Sequence, residues 1–311
     1  MKTALALALA LCVADAAVIG INLGNVLEAP TEGAWAPAAQ QYFFDDYVTQ
    51  NFTRVRIPVR WDKHTGAAPP YAIDAAFLAR VQEVVGWSLA RNLSTIVNSH
   101  HDDWVSSAND TAFAAALPRF VAIWRQVAAA FSGAPATLSF EVANEPVAPL
   151  SLASLNAMYA AVLPVVRAQH PTRTVYIGGL SWMSPDWIAK NPDAVVFPKL
   201  ASGAIDRNIA LEVHAYDPYA FCLQTPPTQS TWGTPADVAA VQSQYDGAAA
   251  WGAAHGRRVY FGEAGCALSA PSRAGRVKWC AFNAHNAAPA RCAHTCSLTT
   301  LTPHPPRAPR P

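Results

Sequence analysis

Along the chain, short runs of apolar and β-branched residues recur at intervals of roughly 35 to 50 residues, each followed by alanine-rich sequence compatible with a helix. Seven such runs stand out: "AVIGINLG", "TRVRIPV", "STIVNSH", "TLSFEVANE", "TVYIGGL", "IALEVHAY" and "RVYFGEAG". Each predicts a buried strand. Between them, "AAFLARVQEVVGWSLARN" and "TAFAAALPRFVAIWRQVAAAF" repeat apolar residues at helical spacing and carry their charges on the remaining face. Alternating strands and helices are the rhythm of βα units. Seven units, with no sequence left for a second domain, predict an α/β chain folded as a (β/α)8 TIM barrel, incomplete at the eighth strand. A doubly wound open sheet is the competing architecture. It loses support because no G-x-G-x-x-G follows the first strand.

The two ends of the chain break the rhythm. "MKTALALALALCVADAAV" has a basic residue, Lys2, then an apolar core from Ala4 to Val13, then Ala14 and Ala16 flanking Asp15. That layout predicts a signal peptide over residues 1–16 and a secreted protein. The apolar run is too short for the roughly 20 residues of a spanning helix. At the other end, "NAHNAAPARCAHTCSLTTLTPHPPRAPRP" has no helical or strand periodicity, so residues 283–311 are expected to be an irregular tail after a barrel over 17–282. The tail reads either as a Pro-rich extension or as sequence standing in place of a true last strand.

Composition narrows the partners. Charged residues make up 14% of the chain and the formal net charge is +1, which leaves no electrostatic footprint for nucleic acid or an anionic membrane. A neutral substrate fits better than a polyanion. Without Cys12, five cysteines remain, Cys222, Cys266, Cys280, Cys292 and Cys296, and their spacing is not that of paired C-x-x-C zinc sites. Cys222 and Cys266 follow neighbouring strands, which makes them candidates for a disulfide, with free thiols as the alternative. The sequons at Asn51, Asn92 and Asn109 are compatible with a secretory route.

The candidate chemistry sits at strand ends, where (β/α)8 barrels place their active sites. In "FEVANEPVAPL" the strand is expected to run to Glu145, because Pro146 cannot donate to a sheet ladder. Read end by end, the polar set is Asn22 and Asn25, Arg56, His100 and His101, Asn144 and Glu145, His214 and Tyr216, and Glu263. Two carboxylates on different strands, Glu145 and Glu263, suit glycoside hydrolysis, in which one carboxyl protonates the leaving oxygen while the other stays ionised. The bland reading is a row of solvated strand ends, with Arg56 in a buried structural ion pair. "HHDDW" makes a poor metal site, since adjacent residues on a strand point to opposite faces. Trp35, Trp104, Trp182 and Trp232 fall in loops beyond strand ends, as sugar platforms or as core residues.

The motifs "GINLGNVLEAPTEGAW", "VRIPVRW", "VNSHHDDW", "FEVANEP", "LEVHAYDPYAF" and "VYFGEAG", in this order from Val18 to Trp279, resemble those of glycoside hydrolase family 5, a (β/α)8 family that includes cellulases and mannanases. The resemblance implies a retaining mechanism with Glu145 as acid/base and Glu263 as nucleophile. It further implies that Asn144 meets the sugar 2-hydroxyl, that Arg56 and Tyr216 orient Glu263, and that His100 and His214 line the cleft. His101 and Trp232 join the expected substrate-binding set. "NLGNVLEAP" is most like the endo-β-1,4-glucanase branch, in which Asn22 and Glu28 contact sugar hydroxyls; their alternative is to cap a turn. No cofactor or metal is implied, and the expected partner is a polysaccharide, with β-1,4-glucan first and mannan or another β-glycan as the alternative. One departure stands out. The family carries a tryptophan on its eighth strand, and this chain has none after Trp279, which is expected on the preceding helix. A carbohydrate-binding barrel without turnover is therefore the competing reading.

Overall fold

A computed structural model describes residues 19–269, 272–287 and 293–296, the last four and Ala287 by backbone alone. Among these, eight parallel strands close into a barrel in chain order: β1 Ile19–Asn22, β2 Arg54–Ile57, β3 Ser94–Asn98, β4 Leu138–Glu141, β5 Val175–Gly178, β6 Ile209–Ala215, β7 Val259–Ala264 and β8 Ala293–Cys296. The seven expected strands are all present, and the (β/α)8 architecture is as the alternation predicts. The position left open at the sequence level is filled by the four-residue β8, which pairs with β7 on one side and β1 on the other. It comes from the stretch read as an irregular tail, and the helix Arg273–Ala287 likewise continues past Asn283. Its sequence "AHTC" lacks the apolar, β-branched run that marks the other four-residue strands, so its place is set by the barrel edges that it pairs with. The expected signal segment and the residues after Cys296 lie outside the described residues.

Local chemistry fixes where the outer helices begin. Asp74, Asn109 and Ser151 each accept the backbone N–H three residues on, at the starts of the helices Ala75–Leu89, Asp110–Ala130 and Leu152–Gln169. Thr234 and Asp237 form a reciprocal capping box for Pro235–His255. Two of the sequon asparagines, Asn51 and Asn92, adopt left-handed backbone just after helices, a conformation that asparagine tolerates better than most residues.

The helices bury their apolar stripes on the outer face of the barrel, with Phe44, Trp124, Tyr159, Tyr245 and Trp279 fully covered. Inside, residues two apart share a face. Ile96, Tyr176, Ala210 and Tyr260 form an apolar layer, and Arg54 lies over the Tyr260 ring at 5.0 Å. Toward the C-terminal ends of the strands, Arg56, Asn98, Glu141 and Glu212 lie on the same inward face, so the apolar interior gives way to charge just beneath the site. No described helix is long and apolar enough to cross a membrane.

Cys222 and Cys266 are joined in a disulfide that ties the segment after β6 to the segment after β7 across a sequence separation of 44. Replacing both by serine is expected to lower stability by about 2–4 kcal/mol, the range for closing a loop of this order. Urea unfolding measures this, and an unchanged midpoint would show that the closed barrel already constrains these segments.

Candidate active site

The site is built around Arg56. From the middle of β2, with no solvent exposure, its guanidinium donates Nε and Nη2 to the two oxygens of Glu141 at 2.6 and 2.7 Å. It donates Nη1 to Glu263 Oε1 at 2.7 Å and to Asn22 Oδ1 at 3.2 Å, and Nη2 to Asn144 Oδ1 at 2.9 Å. One planar fork thus sets residues from the ends of three other strands, β1, β4 and β7, which a lysine ammonium cannot do. The structural ion pair and the site contact are both real: Glu141 takes one edge of the guanidinium and Glu263 the other. Asn98 joins beneath, donating to Glu141 at 3.0 Å.

Glu263 accepts a second short bond from the Tyr216 hydroxyl at 2.6 Å on Oε2. Burial alone would raise its pKa, but the charges of His214 and Arg56 and the Tyr216 hydroxyl outweigh burial and hold this carboxyl far below its usual range. It is therefore an anion at any ordinary pH. Glu145 stands opposite, with Oε1 3.1 Å from His214 Nδ1. One oxygen of Glu145, one of Glu263 and a ring nitrogen of His214 all lie within 4.8 Å of one another.

β4 ends at Glu141, four residues earlier than the sequence suggests. Val142 and Asn144 still donate backbone N–H groups to Tyr176 and Ser99, and the chain then turns through a left-handed Glu145 (φ 46°). A non-glycine residue in this conformation at the centre of a polar cluster is the kind of local strain found at functional sites. The neighbouring loop shares the feature: Ser181, Trp182 and Met183 are all left-handed, and Trp182 N–H reaches Pro146 O at 3.3 Å. Gly178 makes this possible, since a Cβ there would stand 2.5 Å from the Met183 side chain. The half-buried Trp182 is thereby set beside the Glu145 loop.

The structure brings together most of the residues expected at the strand ends. Asn22, Arg56, Asn144, Glu145, His214, Tyr216 and Glu263 form one connected network. His100 packs edge-on to His101, its Nδ1 3.1 Å from Asn98 Nδ2, and burial pushes its pKa well down, so it is neutral. His101, itself left-handed, meets the Trp35 ring edge-on at 5.6 Å. Two expectations fail. Glu28 does not reach the network: it is 3% exposed, and its oxygens accept the backbone N–H groups of Asn25 and Val26 in its own loop. It caps a turn, and burial raises its pKa to about 7. Trp232 is 6% exposed and packs on Phe282, so it belongs to the core between loop and helix and not to a sugar platform. Trp104 is likewise engaged, donating to Asp102 at 3.0 Å beneath the Arg119 guanidinium.

Sequence reading missed Glu141, Glu212 and Asn98. The available signal was an acid inside an otherwise apolar strand, in "LSFE" and "IALEVHA", which is rarely fully buried without a partner. The donor atoms of Glu141, Glu212 and His214 also lie within 4.8 Å of one another. Arg56 already supplies the positive charge there, and His214 supplies it between Glu145 and Glu263.

Residues 16–294 match the model of the cellulase family, glycosyl hydrolase family 5. Endoglucanase H of Acetivibrio thermocellus is 40% identical over 266 residues, which are 85% of this chain and 27% of that protein. Cellulase/esterase CelE of the same organism is 33% identical over 79% of this chain and 31% of its own length, so the chain spans about a quarter to a third of these curated relatives. Among solved structures, endoglucanase Cel5A from Thermotoga maritima superposes with a TM-score of 0.82 at 30% identity, covering 91% of this chain and 90% of that one. The same enzyme in complex with mannotriose superposes with a TM-score of 0.81. Fold, strand-end network and match together place this chain in glycosyl hydrolase family 5.

Proposed function

We propose that the protein is a retaining endo-glycosidase acting on β-1,4-linked glucan. The observation that carries this reading is the approach of Glu145 and Glu263 to within 4.8 Å, oxygen to oxygen. Carboxyl groups about 5–5.5 Å apart leave no room for a water between sugar and base, so one of them must attack the sugar itself. Inverting enzymes need about 6.5–9.5 Å.

The chemistry follows from the environments. Glu263, held anionic by Arg56, Tyr216 and His214, attacks the anomeric carbon while Glu145 gives its proton to the departing glycosidic oxygen. The C–O bond to the leaving sugar breaks as the bond to Glu263 forms. Glu145 then takes a proton from water, whose oxygen displaces Glu263 and restores the original configuration. Asn144, held by Arg56, lies beside Glu145 in sequence and is placed to meet the sugar 2-hydroxyl.

A polysaccharide substrate suits the low net charge and the half-buried Trp35 and Trp182 at the rim. Endoglucanase names among the relatives favour glucan, and the mannotriose complex of the Thermotoga enzyme keeps mannan as the second reading. Secretion fits the N-terminal leader pattern and the Cys222–Cys266 disulfide, which needs an oxidising compartment.

The test is hydrolysis of carboxymethyl cellulose and of mannan, followed by reducing-end release and viscosity, with NMR of the first-formed anomer. A rapid fall in viscosity on cellulose with the β-anomer appearing first is the expected result. First release of the α-anomer would overturn retention. Tight glucan binding with no turnover would favour the binding-only barrel.

A further inference from the structure

The proposed chemistry leaves one buried acid without a task. Glu212 and His214 are two residues apart on β6 and share its inward face. The His214 ring lies between two carboxylates, with Nδ1 3.1 Å from Glu145 Oε1 and Nε2 3.4 Å from Glu212 Oε1. Glu212 has no solvent exposure; its Oε1 is 3.6 Å from Arg56 Nε, and its Oε2 has no hydrogen-bond partner. A buried carboxylate with a free oxygen is costly to keep. The neighbouring strand nevertheless makes room for it: a Cβ at Gly262 would stand 1.7 Å from Glu212 Oε1, and the β6–β7 register shifts between Val213 and His214.

The ring's two nitrogens decide what Glu145 can do. To act as an acid, Glu145 must present its proton to the glycosidic oxygen, so the oxygen facing His214 has to accept and Nδ1 has to donate. An anionic Glu212 accepts from Nε2, and the ring then carries both protons. With no charge at Nε2, the ring can fall to a single proton on that nitrogen. Nδ1 would then accept, and the proton of Glu145 would turn inward, away from the substrate.

Resting on the reading of Glu145 as acid/base, we propose that Glu212 is a positioning residue that keeps His214 doubly protonated and so aims the proton of Glu145 at the leaving oxygen.

The electrostatics of the surroundings place this role on the alkaline side of about pH 7, where Glu212 is ionised. Burial opposes the charged ring, but Glu263, Glu145 and Glu212 together raise the pKa of His214 to about 10. Burial, then Glu141, raises Glu212 to about 7, against the lowering by His214 and Arg56. The other groups facing the pair are Arg54 from β2, His100 after β3 and Tyr159 from the helix Leu152–Gln169.

The experiment follows the histidine ring by 15N NMR across pH, together with the pH dependence of kcat/KM, in wild type, Glu212→Gln and Glu212→Asp. Glu212→Gln keeps the shape and removes the charge. It is expected to lower the His214 titration by one pH unit or more and to move the alkaline limb of kcat/KM downward by a similar amount, about tenfold in rate at a fixed alkaline pH. Glu212→Asp retains the charge and is expected to recover part of both shifts. If the His214 titration and the limb in Glu212→Gln stay within about 0.3 unit of wild type, the proposal fails, even where activity drops uniformly, because packing alone would then explain the drop. Glu145→Gln, measured in parallel, separates the two ideas. Full hydrolysis by that variant would remove the acid/base reading, whereas the His214 titration reports on Glu212 either way.

Discussion

Glu263→Gln is expected to lower kcat/KM on soluble β-glucan by roughly 10³-fold or more, the scale of losing one member of a catalytic unit whose parts act together. The amide keeps the shape and can still meet the Tyr216 hydroxyl and Arg56, which now hold Glu263 at 2.6 and 2.7 Å. It cannot form the covalent bond to the sugar. The loss should therefore fall on kcat, with KM much less changed. Glu145→Gln gives the contrasting pattern. A substrate whose leaving group departs without a proton, such as an aryl glycoside of an acidic phenol, should lose far less activity than the polysaccharide does. The pH profile supplies a third check. Because its surroundings depress Glu263 far below the ordinary carboxylate range, the nucleophile stays ionised as pH falls through 4.5, the ordinary glutamate value. An acid limb that tracks deionisation of a normal glutamate would contradict the assignment, as would Glu263→Gln with wild-type kcat.

Much of this site was legible because the barrel converts sequence position into spatial position. Strand ends converge whatever the intervening helices do, so a polar residue at the end of an apolar run is already placed on one face. Arg56, Glu145, His214, Tyr216 and Glu263 were readable on that ground alone. Glu28 and Trp232 were not, because they sit in loops whose course the strand pattern does not determine. Glu28 turned to the backbone of its own loop, and Trp232 found Phe282 from a helix far along the chain. Glu141 and Glu212 were missed for the opposite reason. They lie within strands, where alternation marks them as inward-facing but says nothing of the arginine and histidine that they meet. The eighth strand is different again: Ala293–Cys296 has no apolar signature, and its place follows from the edges of β1 and β7 that would otherwise be left unpaired.

Arg56→Met should have the largest effect on the folded state itself. Arg56 is fully buried and is the shared cation for Glu141 and Glu263, with Glu212 at 3.6 Å. Removing the cation leaves Glu141 and Glu212, neither of which has any solvent exposure, without their shared positive partner, at a cost of about 3–5 kcal/mol. The cost has a definite pH dependence. In the wild type, the depressed pKa of Glu263 contributes stability that is present above its unfolded value and is lost only as pH falls through the low folded value. In Arg56→Met that contribution is diminished, and Glu212, already raised to about 7 by burial, favours its protonated form still more strongly. A group raised in the folded state contributes stability below its unfolded pKa and loses it as pH rises. The stability gap between variant and wild type should therefore be wider at pH 8 than at pH 5. Urea unfolding at the two values measures it directly, and a gap that is absent, or larger at pH 5, would mean that Arg56 does not hold the carboxylates through charge. Arg56→Lys is the informative companion, since it returns the charge without the fork. It should recover part of the stability and little of the activity, because a single ammonium cannot hold Glu141, Asn144 and Glu263 in register at once.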